Sequence, residues 1–503
     1  MGSTVTQSRE SGKQTTGIVG LDDVLRGGLP SHRLYVVEGD PGAGKTTLAL
    51  QFLLEGVHLG QRTLYVTLSE TLEELRDVAS SHGWSLDGID LLELNSFSER
   101  LQEDANYTVY HPSDVELAET INRITGEVER INPERVALDS VSELKILSHT
   151  SVRYRREILG LKQFFAGRKC TVLVLDDRTT REGEQQLQSI AHGVLRMERE
   201  TREYGDTRRQ FHIVKLRGVR FKDGLHDFVI HTGGIEVYPR LTASDTIPLE
   251  DRPPVPSGSQ ELDTLLGGGL DRGSSTLLLG PAGCGKSTVC SRYMLTALER
   301  GEPVACFLFE ESCETFFSRS AGFEMDFQPY LVSKQFELAQ VDIGSLSPGE
   351  FAVRVRRLVE QRNVRFIVID SLNGYLNGMP SERFLLIHMH ALLTYLGQNG
   401  VVTIVTIAQH GMLGSTMQTP VDVSFLADTV ILLRFFEAAG QVRQAISVVK
   451  KRRGAHERTL REMRIGATGV QIGEVLHQFE GVLTGVPRFR GNDARLLDAP
   501  DER

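Results

Sequence analysis

The sequence predicts an α/β protein of two tandem domains, each a mostly parallel twisted sheet with helices on both faces. Three observations carry that prediction. A nine-residue stretch occurs twice, as GDPGAGKTT (Gly39–Thr47) and GPAGCGKST (Gly280–Thr288). The surroundings of the two copies keep step: Lys45 and Lys286 lie 241 residues apart, and so do Glu70 and Glu311. Within each copy, short apolar runs alternate with segments of helical period, the pattern of strands joined by helical crossovers.

The elements follow in order. RLYVVEG and STLLLG are β-rich runs that end at the glycine-rich stretch, and KTTLALQFLLEGVHLG and STVCSRYMLTALERG then take the 3.6-residue period of a helix. TLYVTL, RVALD and CTVLVL read as buried strands in the first copy, and ACFLF, FIVID and VVTIVTI in the second. Upstream, GLDDVLRGGLP parallels ELDTLLGGGL; downstream, IVKLRG (Ile213–Gly218) parallels VKKRRG (Val449–Gly454). The offset slips to 231 at the aspartates Asp139 and Asp370 and to 236 at the late basic stretch, so insertions are modest. This is a domain duplication, not a solenoid of short units. The expected organisation is a flexible tail over 1–15, a first domain over 16–241, a Pro- and acid-rich linker over 242–257, a second domain over 258–490 and a short tail over 491–503.

The spacing G-x-x-x-x-G-K-[ST] is a phosphate-cradling loop. Its backbone amides turn toward phosphate oxygens, the lysine meets the β- and γ-phosphates, and the hydroxyl coordinates Mg²⁺. The nucleotide-binding candidates are therefore Gly39, Gly42, Ala43, Gly44, Lys45, Thr46 and Thr47, with Gly280, Gly283, Cys284, Gly285, Lys286, Ser287 and Thr288. Asp139 and Asp370 each end an apolar strand and stand as metal partners of Thr46 and Ser287; a strand-ending aspartate can equally cap a helix, and the phosphate loop upstream favours the metal role. FEES supplies Glu310 and Glu311, candidates for the base that polarises water or a hydroxyl, where a solvated acidic turn is the plainer alternative. The first copy reads LSET, so Ser69 replaces one glutamate and Glu70 remains, which predicts slower chemistry there. Lys215 and Arg217, like Lys451 and Arg453, form K-x-R-G at a strand end; residues two apart share a face, so each pair can be offered to a neighbour's γ-phosphate or form a solvated basic edge. Asp176 and Asp177 either line the first site or make a turn.

At 503 residues, 40% hydrophobic and 24% charged, the composition is that of an ordinary globular protein. No apolar run is long enough to cross a bilayer, and the polar N-terminus lacks the apolar core of a secretion signal. Five cysteines without C-x-x-C spacing suit reduced thiols in a cytoplasm. A net charge of −10 argues against nucleic acid as the main partner.

Together these stretches resemble the KaiC family, double-domain relatives of the RecA ATPases. The resemblance runs from about Thr16 to Arg490 and includes the GLDDVLRGGLP lead-in, both phosphate loops, FEES, IDS, both K-x-R-G stretches, FLADTVILL (Phe425–Leu433) and HQFEGVLTGVP (His477–Pro487). It implies two RecA-like rings in a homohexamer with ATP and Mg²⁺ between neighbouring subunits, a slow ATPase in the first domain, and autophosphorylation of Ser/Thr in the second. The family's acceptor pair falls on Ser424 and Phe425; only Ser424 keeps a hydroxyl, and Thr419 matches a further one upstream. An arginine of the family appears as Asn377. The resemblance therefore implies an ATPase and autokinase acting as a signalling or timing module through a partner protein. A RecA-type nucleic-acid motor and a nucleotide-gated scaffold without kinase activity are the alternatives.

Overall fold

The computed structural model describes residues 12–94, 112–148, 150–178, 184–201, 205–241, 253–342, 344–377, 382–409, 424–438, 440–466, 469–482 and 488–489. It divides into two units, Met1–Arg240 and Leu241–Arg503. In the first, the strands of the large sheet are β1 (Leu34–Gly39), β2 (Thr63–Thr67), β3 (Ile89–Glu93), β4 (Arg135–Asp139), β5 (Thr171–Asp177), β6 (Gly193–Glu200), β7 (Arg208–Leu216), β8 (His226–His231) and β9 (Gly234–Tyr238). In the second they are β10 (Ser275–Gly280), β11 (Val304–Leu308), β12 (Phe336–Gln340), β13 (Phe366–Asp370), β14 (Val402–Ala408), β15 (Thr429–Ala438), β16 (Gln441–Lys451), β17 (Arg461–Gly466) and β18 (Gly469–Val475).

The spatial order β9-β8-β7-β6-β1-β5-β4-β2-β3 recurs in the second unit as β18-β17-β16-β15-β10-β14-β13-β11-β12. Strands β6, β1, β5, β4, β2 and β3 are mutually parallel; β7, β8 and β9 add on antiparallel. The loop that follows β1 thus leaves the carboxyl end of a central strand where the chain order reverses, the place where open α/β sheets bind ligands.

Burial on both faces explains the near-continuous apolar runs. β1 sends Tyr35 and Val37 into one core and Leu34 and Val36 into the other. In the second unit Leu278 and Leu277 divide in the same way. The first core is closed at its edge by Arg135, 0% exposed. Its Nε donates to Gln61 Oε1 at 2.6 Å, its Nη1 to the carbonyls of Thr15 and Phe52 at 2.8 Å each, and its guanidinium lies over the Phe52 ring.

Two expected boundaries are corrected by packing. Residues Lys13–Gln14 are not tail: they pair antiparallel with Leu29–Pro30, and Thr15 Oγ1 donates to Glu55 at 2.8 Å. The end of the expected linker belongs to the second unit: Val255 is fully buried in its core and bridges to Leu270, and the Ser257 carbonyl accepts from Thr296 Oγ1. Residues 242–252 and 491–503 lie outside the described residues. Among the described residues no helix is long and apolar enough to cross a membrane, and all five cysteines are free thiols.

One buried pair separates the copies. Glu38, 1% exposed on β1, accepts from Arg196 Nε at 2.5 Å and from Gln188 Nε2 at 2.9 Å. Glu38 stands opposite Arg196, as Leu279 stands opposite Leu432 in the second sheet. Removing one partner strands a buried charge, whereas an apolar pair is a proven occupant of this position. Arg196→Leu is therefore expected to cost about 3–5 kcal/mol in denaturant unfolding, and the Glu38→Leu/Arg196→Leu double change to recover most of it.

Candidate active site

Each phosphate loop is built by backbone that only its glycines can adopt cheaply. Gly42 and Gly44 have φ of 76° and 102°, and Gly283 and Gly285 have 79° and 96°. At the first position of the motif the constraint is space: a Cβ on Gly39 would come within 2.5 Å of the Met197 carbonyl oxygen. The helices Lys45–His58 and Lys286–Glu299 begin on Gly44 and Gly285 with no side-chain cap. Their first amides remain available to an anion, which the helix dipole also favours.

The lysines fold back over their own loops. Lys45 Nζ donates to the carbonyls of Gly39 (2.8 Å) and Asp40 (3.1 Å), and Lys286 Nζ to those of Gly280 (2.9 Å) and Pro281 (2.7 Å). Both amines are largely buried. Lys45 has a further partner that Lys286 lacks among the described residues, the Asp177 carboxylate at 2.7 Å.

Thr46 Oγ1 donates to Asp139 Oδ2 at 3.0 Å, and Tyr65 donates to the same oxygen at 2.5 Å. Burial pushes the Asp139 carboxyl up, and these two hydroxyls pull against that rise. In the second unit Asp370 Oδ1 accepts from Thr406 Oγ1 at 2.5 Å. In both, the bond from the aspartate to the following serine is cis. A hydroxyl and a carboxylate within hydrogen-bond reach are hard oxygen donors suited to Mg²⁺. No described group of three or more His, Cys, Asp or Glu side chains forms a metal cage.

The glutamates differ between the units in their partners. Glu70 follows β2 and has a buried Oε2 with no hydrogen-bond partner. Burial, then the nearby Asp139, raises its carboxyl above the usual glutamate range. Glu311 instead gives both oxygens to Arg319, at 3.1 and 3.0 Å, and Arg319 also donates to Ser291 Oγ. Glu310 beside it is exposed.

Strand register revises the basic pairs. In the first unit Lys215 stands opposite Val194 but Ile213 opposite Leu195, so Val214 bulges out of the ladder. In the second, Lys450 stands opposite Val430 and Val448 opposite Ile431, and Val449 bulges. The next backbone amide bonds confirm the match: Arg217 N donates to His192 O, and Arg452 N to Asp428 O. Lys450 and Arg452, rather than the expected Lys451 and Arg453, are thus the spatial counterparts of Lys215 and Arg217. Lys451 takes the place of the buried Leu216. Its side chain is 3% exposed, and its amine donates to Leu266 O at 2.6 Å and pairs with Asp271 at 3.5 Å. Arg453 is an exposed extra residue of the following turn. Lys215 and Arg217 donate to the carbonyls of Gln188 and Ser189, and Lys450 to that of Ala427. Lys215 sits level with Val36, three positions before Gly39 on β1, and so about 10 Å along the strand from its own phosphate loop.

Ser424 begins a 3₁₀ turn, Ser424–Leu426, and Phe425 is exposed. Thr419 lies outside the described residues. Neither the Tyr65–Asp139 bond nor the Arg319 clamp is legible in the sequence. Tyr65 and Asp139 lie 74 residues apart, Arg319 sits on the helix that follows Glu311, and no motif spacing encodes either contact.

A sequence model of the family described as "ATPase: KaiC" matches residues 14–242 and 255–477. The circadian clock oscillator protein KaiC of Acaryochloris marina is 28% identical over 94% of this chain and 91% of its own length. The circadian clock protein KaiC3 of Synechocystis sp. is 26% identical over 98% of each chain, and KaiC of Synechococcus elongatus is 28% identical over 94% of this chain and 92% of its own. With two RecA-like units, a phosphate loop in each and the family pattern matched across both, the chain belongs to the KaiC ATPase family.

Proposed function

We propose that this chain is a Mg²⁺-dependent ATPase with two unequal sites whose second unit also phosphorylates Ser424, working as a cytoplasmic homohexamer with ATP between neighbouring subunits. The observation that carries the proposal is the paired arrangement of phosphate loop, caged lysine and strand-ending aspartate in both units. The loop amides and Lys45 or Lys286 would hold the β- and γ-phosphates, and Thr46 with Asp139, or Ser287 with Asp370, would hold Mg²⁺. When bound, the ion neutralises charge on the phosphates. Glu70, with its unpartnered Oε2, would accept a proton from attacking water. In the second unit Glu310 is the better base, because Arg319 occupies both oxygens of Glu311. For transfer to Ser424, its Oγ would bond to the γ-phosphorus as the β,γ-bridging P–O bond breaks, ADP leaves, and the hydroxyl proton passes to Glu310. Lys215 with Arg217, and Lys450 with Arg452, would reach a neighbour's γ-phosphate in a ring, since they stand well away from their own loop. Kinship to clock proteins supports a signalling role read by a partner protein.

Three measurements test this. Lys45→Ala should leave more hydrolysis than Lys286→Ala, and only Lys286→Ala should abolish a γ-phosphate label at Ser424; an unlabelled Ser424 in an ATP-hydrolysing hexamer leaves the scaffold alternative. Lys450→Ala should lower second-site turnover by about a hundredfold or more, while Lys451→Leu keeps turnover because leucine already fills that place in the first unit. In Lys286→Ala protein, hydrolysis should fall as pH drops through a value above the ordinary glutamate range, since a base with a raised pKa loses its charge earlier on acidification. Glu70→Gln should remove that limb.

A further inference from the structure

We infer that Asp177 is a specificity-determining residue that makes the first site discriminate against the triphosphate in favour of the diphosphate. The inference rests on the ATPase reading above and deepens it. β5 lies beside β1 in one-to-one register, which sets Asp177 opposite Gly39, the first residue of the phosphate loop. Its carboxylate meets Lys45 Nζ at 2.7 Å. That amine is the group that must contact the β- and γ-phosphates, so the carboxylate stands where the terminal phosphate needs to be.

The placement is held from behind. Ser142 Oγ accepts from the Asp177 amide at 3.2 Å and donates to Asp176 Oδ1 at 3.2 Å. Successive strand residues point to opposite faces, so Asp176 turns to Ser142 and Asp177 to the loop. The second unit keeps the same clamp around a different side chain. Asn373 bonds the Ala408 amide at 2.9 Å and its carbonyl at 3.0 Å, and Ala408 stands opposite Gly280. The position opposite the loop's first glycine and the anchored amide are shared, and at that position the Asp177 carboxylate is new.

Charge then decides which nucleotide suffers. Asp177 joins Glu70 and Asp139 around a single ammonium group, and one more negative charge at that end opposes the γ-phosphate most. The diphosphate can leave the Lys45–Asp177 pair partly intact; the triphosphate has to displace it. The first site should accordingly hold product longer and exchange it for substrate less readily than the second.

The test uses full-length Lys286→Ala protein, in which the second loop is silenced, with a fluorescent non-hydrolysable ATP analogue and fluorescent ADP as probes. Asp177→Asn and Asp177→Ala should each tighten the ATP analogue by roughly tenfold and leave ADP within about twofold. The converse change, Ala408→Asp in Lys45→Ala protein, should weaken the ATP analogue at the second site by a similar factor. An unchanged ratio of the two affinities, or equal tightening of both nucleotides, overturns the inference. Failure of the parent Lys286→Ala protein to bind even ADP would instead sink the ATPase reading, and this inference with it.

Discussion

The structure turns on the point where a central strand stops and a helix begins. At Gly39 and Gly280 there is no room for a side chain, and the following lysine must reach back to the carbonyls it has just passed. That requirement fixes glycines in left-handed backbone, exposes the first turn of the helix, and draws a strand-ending carboxylate from the next parallel strand but one. The sheet order supplies those neighbours: β5 and β6 flank β1, and β4 brings Asp139 to the same edge. The apolar runs exist to bury this edge-on arrangement from both faces.

How much of this could be read from the chain depends on the range of the interaction. The loops, the strand-ending aspartates and the order of strands and helices were legible, because each is encoded within a dozen residues by spacing or period. The same holds for the duplication. What escaped was set by tertiary placement. Tyr65 reaches Asp139 from a neighbouring strand 74 residues away, and Arg319 reaches Glu311 from the following helix by a contact that no motif spacing encodes. The K-x-R-G motif misled for a different reason: a bulge shifts strand register by one, and matching on the terminal glycine chose Lys451 where packing chose Lys450. The ordered start at Lys13–Gln14 was hidden because polar residues form a two-residue strand by pairing with Leu29–Pro30 rather than by an apolar run.

The two copies show how a duplicated unit drifts without losing its frame. A buried ion pair in one sheet is two leucines in the other, a carboxylate beside one phosphate loop is alanine beside the other, and a lone glutamate in one is clamped by arginine in the other. These changes leave the strand order the same in both sheets. They redistribute charge inside a conserved framework, which is why the halves can share a fold while presenting different fields to a phosphate.

The bulge at Val214 and Val449 has a consequence for how such chains lengthen. A regular strand turns inside out when a residue is added, since every later side chain changes face. Here the ladder is re-anchored just past the bulge by the amides of Arg217 and Arg452. The added Arg453 is then taken up in the turn before Gly454, so the joint works as slack in the polypeptide, letting sequence length wander on one side while the cations on the other keep their aim.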